Sequence, residues 1–99
     1  MFDFLADPPE NVILITNSSS KVCSRDVINF TCTAEANPAV HNYLLFNNDT
    51  VIANMGISGT LITTFENAGQ FMFRCEANNS VQGIGKSNES FLTIGGELL

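Results

Sequence analysis

Hydrophobic and polar positions alternate most regularly along Gly69–Asn79, where Phe71, Phe73, Cys75 and Ala77 fall on one parity and Met72, Arg74, Glu76 and Asn78 on the other. Successive strand residues point to opposite faces, so this run predicts a central strand with one buried and one exposed face. A second alternating run, Ile28–Ala34, places Cys32 among its inward positions. Two such strands joined through inward cysteines describe two sheets stapled across a core. Cys23 competes for Cys75, but it follows a polar turn, whereas Cys32 lies within an alternating core pattern, so Cys32–Cys75 is the favoured pairing.

The remaining chain reads as strands and turns. Pro8-Pro9 imposes an extended entry and forbids helix. Val12–Ile15 is a first strand of continuous rather than alternating apolar character, and after the polar turn at Asn17 the pair Val22-Cys23 resumes edge pairing. Ala36–Ala39 ends the second main strand, and His41–Phe46 is the third. A short strand at Val51–Ala53 leads into Met55–Gly59, too brief and glycine-rich for much regular structure. Leu61, Thr63 and Phe65 line up inward on another strand, and Ser87–Ile94 closes the chain with Leu92 and Ile94 toward the core. No helical periodicity competes.

These residues resemble the immunoglobulin superfamily. The aromatic-x-Cys-x-Ala-x-Asn run of its penultimate strand stands here as Phe73, Cys75, Ala77 and Asn79, and the hydrophobic-x-Cys of its second strand as Phe30 and Cys32. The resemblance spans Glu10 to Ile94 and implies an all-β sandwich of about seven antiparallel strands in two sheets. The spacing of the cysteines suits the constant or intermediate types better than the variable type. Two hallmarks are altered: the chain has no Trp, and Leu45 best fits the place of the core tryptophan, with Tyr43 also inward; the corner tyrosine is Phe73.

Composition sharpens this picture. Charged residues make up 14% of the 99, against about 25% in ordinary domains. Asparagine supplies another route to solubility, since Asn17, Asn29, Asn48, Asn78 and Asn88 each open an N-glycosylation acceptor. With 12 Asn and 16 Ser or Thr residues, chance supplies roughly two such matches. Asn29 lies on the outward parity of its strand; Asn88 shares the inward parity of Leu92 and Ile94, which suits a glycan only if the strand starts later or bulges. A net charge of −6 and the presence of only Lys21, Arg25, Arg74 and Lys86 as basic residues disfavour nucleic acid, polyanions and anionic membrane surfaces. No apolar run approaches a membrane span, and Met1–Ala6 lacks the features of a signal peptide. The expected organisation is a linker remnant at 1–9, one immunoglobulin-like domain at 10–95 and a second linker remnant at 96–99, excerpted from an extracellular cell-surface glycoprotein whose other parts make any membrane attachment.

Catalytic chemistry finds no support. His41 is the only histidine and has no metal-ligand spacing around it, acidic residues lack the order of a calcium loop, and nothing activates a nucleophile. The expectation is a non-enzyme without cofactor or metal. Cys23 is left as a thiol that is either buried and inert or paired outside the domain. The third, sixth and seventh strands of such a sandwich lie side by side. Leu44, Phe46, Met72 and Phe91 would then share an outward face around Arg74 and Glu76, opposite the Asn29 sheet. That face is the expected partner-binding surface, for another protein or for a second copy of the chain, in adhesion or recognition. The alternatives are a receptor domain for a soluble ligand and a structural spacer.

Overall fold

The alternating runs form the strands expected of them. In the computed structural model, which describes residues 7–18, 20–80 and 84–95, nine strand segments build two sheets. They are β1 (Asp7–Thr16), β2 (Lys21–Cys23), β3 (Ile28–Asn37), β4 (Asn42–Asn47), β5 (Thr50–Gly56), β6 (Thr60–Thr63), β7 (Gly69–Asn78), β8 (Ile84–Lys86) and β9 (Ser90–Gly95). One sheet has the order β1-β3-β6; the other runs β2-β9-β7-β4-β5, with β8 also on β7. β2 runs parallel to β9, and the other pairings are antiparallel. Counting β1 with β2, and β8 with β9, as interrupted single strands gives the seven-strand sandwich. Of the remnants expected at 1–9 and 96–99, residues 1–6 and 96–99 lie outside the described residues.

The core forms where the inward parities of the two sheets meet. Phe30, Cys32, Leu45, Phe73 and Cys75 are all buried, and Cys32 is bonded to Cys75 with their Cα atoms 6.5 Å apart. Leu45 lies directly across from Cys75 in the β4–β7 register, beside the disulfide, and Tyr43 is buried one inward step away. In place of a tryptophan, Phe30, Phe65, Phe71 and Phe73 pack ring to ring at centroid distances of 4.9 to 6.3 Å. Cys23 remains a free, half-buried thiol.

Several boundaries differ from the sequence reading. β1 begins at Asp7, so Pro8 and Pro9 belong to the sheet; it is an edge strand with irregular register between Asp7 and Ile13. Prolines are tolerated there because no ladder donor is required of them. β3 runs through to Asn37, past the turn expected at Ala36. β5 extends to Gly56 because Met55 is buried in the core and anchors a segment that its glycines had suggested was irregular. Gly59 then turns with φ +70° and tucks against the strand: Cys32 N–H donates to Gly59 O at 2.7 Å, and a Cβ there would collide with Cys32 O.

The last strand is broken at 87–89, and side chains there take over backbone pairing. Ser87 Oγ accepts from Cys75 N–H at 2.8 Å. Asn88 Oδ1 accepts from Leu14 N–H at 3.0 Å while Asn88 Nδ2 donates to Leu14 O at 3.4 Å, so one carboxamide completes the free edge of β1 as the N–H and C=O of a single strand residue would. Nearby, β1 and β8 approach so closely that a Cβ on Gly85 would lie 2.5 Å from Pro9 O. Asn88 thus closes one margin of the sandwich. Asn88→Ala is expected to cost about 1–3 kcal/mol, because it leaves part-buried backbone groups of Leu14 without partners; a urea-unfolding midpoint unchanged from wild type would contradict this role.

Candidate recognition face

The outer surface of the six-stranded sheet is set by register. Phe46 faces Arg74, Leu44 faces Glu76, Met72 faces Phe91, and Glu76 faces Lys86 across neighbouring strands. Directly opposed side chains on one face lie close enough to touch. The outward parities of β4, β7 and β9 therefore bring Leu44, Phe46, Met72, Arg74 and Phe91 together on one surface.

Arg74 organises that surface. Its guanidinium lies 4.3 Å from the centroid of the Phe46 ring, Nη2 bonds Glu76 Oε2 at 3.0 Å, and Nη1 donates to Asn48 O at 2.5 Å. Asp49 stands 3.6 Å from Nη1 but is fully exposed, so water screens it and it adds little. The Arg74 and Glu76 side chains are only 15% and 11% exposed. Here an ion pair is held in a shallow apolar surround, and the cation also interacts with the ring quadrupole. This cover explains a difference from the sequence reading: Leu44, Phe46 and Met72 are half-buried rather than exposed, and Phe91, at 64%, is the one large apolar residue of the set that stands free.

Two open hollows flank Met72. One, of about 520 Å³, is bordered by Asp49, Arg74, Lys86 and Glu89; the other, of about 220 Å³, lies between Asn48, Phe71 and Phe91. The turn beside them is tight. Asn47 pairs with Thr50, Asn48 takes φ 57°, and Asn47 Oδ1 accepts from Met72 N–H at 3.3 Å. Asn tolerates this left-handed conformation better than most residues. The site thus offers apolar contacts, both charge signs and a concave relief.

The acceptor asparagines are distributed unevenly. Asn29 projects from the three-stranded sheet, and Asn17 lies beside it, its Oδ1 accepting from Asn29 N–H at 2.9 Å. Asn48 sits at the edge of the candidate face, Asn78 lies half-buried on the outward parity of β7, and Asn88 is engaged with β1. Sequence reasoning missed the Asn88 and Gly59 roles. The awkward parity of Asn88 was the available signal for the first; nothing in the sequence signalled the second.

His41 is exposed, and among the described residues no group of three His, Cys, Asp or Glu side chains is placed to hold a metal ion. Burial pushes the Tyr43 phenol above its ordinary pKa, against a smaller opposing hydrogen bond with the Ala34 backbone, so it stays neutral at physiological pH.

No family model matches the chain, and no curated protein matches it in sequence. Solved structures do. A fibronectin(III)-like module of Clostridium thermocellum CbhA superposes with a TM-score of 0.72, covering 88% of this chain and 100% of that one at 18% identity. The PKD domain of an M14-like peptidase from a Thermoplasmatales archaeon gives 0.65 over 91% and 98% at 15% identity. A disulfide within such a fold is typical of extracellular proteins. With the strand order and the buried Cys32–Cys75 bond, these likenesses establish the chain as an immunoglobulin-like β-sandwich.

Proposed function

We propose that this chain is an extracellular recognition module of a larger cell-surface protein and binds a protein partner through the outer face of its six-stranded sheet, without catalysis or cofactor. The observation that carries the reading is the convergence of Leu44, Phe46, Met72 and Phe91 around the Arg74–Glu76 pair. Interfaces combine an apolar and aromatic centre with arginine, and this surface has that composition. Membership of the immunoglobulin superfamily, in its constant or intermediate type, is supported by the pairing of Cys32 with Cys75 beside Leu45. A second copy of the chain is the partner to test first, in an adhesive role.

The test is the concentration dependence of molecular mass by sedimentation, with and without reductant. A reversible dimer that survives reduction is expected, and Leu44→Glu with Met72→Lys should weaken it at least about tenfold, the equivalent of one lost interfacial contact of roughly 1.4 kcal/mol. Phe91→Glu, at an exposed position that folding does not require, should weaken it as well. A dimer lost on reduction would instead implicate Cys23.

A spacer role is the second reading. Fibronectin III-like and PKD domains are often structural modules, and the likeness to them favours it. Substitutions on the face would then change no interaction, and wild type would remain monomeric at every concentration.

A further inference from the structure

The two sheets differ in what covers them. On the outer face of the three-stranded sheet, Ile13, Ile15 and Ile62 are 47%, 56% and 69% exposed, with no charged residue between them in the register. Asn29 adjoins two of them. It pairs directly with Ile62 on β6, and Ile15, which pairs with Thr31, is its diagonal neighbour on β1. Diagonal neighbours lie about 7–8 Å apart, within reach of a larger group attached to either one. The Asn29 carboxamide makes no hydrogen bond among the described residues, and Thr31, the third residue of its acceptor triplet, shares its outward parity.

We propose that Asn29 carries an N-linked glycan whose first sugar lies across Ile62 and Ile15, and that Asn88, although it opens an equivalent triplet, carries none in the folded protein. In the attachment step, Asn29 Nδ2 forms a bond to C1 of an oligosaccharide carried on a lipid pyrophosphate. The C1–O bond breaks, the lipid pyrophosphate leaves, and Nδ2 loses one proton. The product is a secondary amide, planar and trans like a peptide, so C1 takes the Nδ2 position on the same side as Oδ1. At Asn29 that position is open. At Asn88 it is the position of the hydrogen that must point at Leu14 O while Oδ1 accepts from Leu14 N–H. A sugar there and the closure of the β1 edge exclude one another.

At Asn29 the apolar face of the first sugar would cover two isoleucines that the fold leaves in water. That would take the three-stranded sheet out of contention as a protein interface and leave the opposite face clear. The proposal rests on the extracellular reading but not on the recognition face.

The chain is produced through the secretory route of a eukaryotic host, and occupancy of each asparagine is read by mass spectrometry on the folded, secreted protein. Asn29 is expected to be occupied on most molecules and Asn88 on none; Asn29→Gln and Thr31→Ala should remove the sugar, and Thr31→Ser should keep it. A bare Asn29, or sugar on Asn88 in folded protein, overturns the assignment. Trimming the glycan to its first N-acetylglucosamine should leave Tm unchanged, complete removal should lower it by about 4 °C, and in Ile62→Ser the two forms should melt alike. Equal Tm values with and without the first sugar in the wild-type background would overturn the contact with Ile62. The host supplies the secretory route, so either failure refers to this site and leaves the sedimentation test of the opposite face intact.

Discussion

Replacing Cys32 and Cys75 together by alanine is expected to remove about 4 kcal/mol of stability through the unfolded chain alone, given the 43-residue separation that the bond closes. Both sulfurs are buried at the centre of the sandwich, so their loss also leaves unfilled volume that the surrounding side chains recover only in part. Domains of this size are held by roughly 5–15 kcal/mol, and the double variant should therefore stand near the limit of folding at 37 °C. In urea at 25 °C the midpoint should fall by about 2–4 M. Because the cross-link also restrains the unfolded state, the dependence of unfolding free energy on urea should steepen as the released chain expands. Reductant added to wild type should reproduce the shift. Cys23→Ser, at a half-buried edge position outside the bond, should change the midpoint little. A double variant that kept its midpoint within about 0.5 M of wild type would show that packing rather than the bond carries the sandwich.

How much of this is legible in the sequence depends on whether the determining forces are local. The alternation through Phe71, Phe73, Cys75 and Ala77 encodes a strand, a face and a core position together, because the period of two is a property of the backbone and tertiary context only confirms it. The same parity is enough to put Leu44, Phe46, Met72, Arg74 and Phe91 on one surface, where the strand register also brings them. Parity does not reveal that Arg74 settles on the Phe46 ring and reduces the exposure of its neighbours. That depends on side-chain rotamers and on the Asn48 carbonyl, which arrives from a turn. Edges are the least legible. Pro8 and Pro9 read as a linker and prove to be strand, because an edge requires nothing of the missing donors. The role of Asn88 depends on Leu14, 74 residues away, and a contact at that separation leaves no local signature beyond an awkward parity.

Phe73 gives the sharpest test of how the core manages without tryptophan or a corner tyrosine. It is wholly buried on β7, two residues before Cys75, with ring centroids of Phe30, Phe65 and Phe71 at 4.9, 5.4 and 5.6 Å. Phe65 also meets the other three rings, but it is half-buried and its approach to Phe30 is longer, at 6.3 Å. Truncating Phe73 therefore removes a fully buried side chain and three close aromatic contacts together. Phe73→Ala should cost about 3–5 kcal/mol, the usual range for a buried phenylalanine, and the upper part of it here because the disulfide and the sheet ladders hold the cavity walls apart. Phe71→Ala should cost less, since Phe71 is only half-buried and stacks on one side of the cluster. Phe73→Tyr is also expected to destabilise, by about 1–3 kcal/mol, because the ring packing leaves its hydroxyl in the core without water. Urea unfolding of the three variants decides between two accounts of the core. A loss that is largest for Phe73→Ala and smaller for Phe73→Tyr and Phe71→Ala identifies a core built on aromatic packing. If Phe73→Tyr proves more stable than wild type, the corner hydrogen bond is within reach and the phenylalanine cluster is a poorer substitute for it.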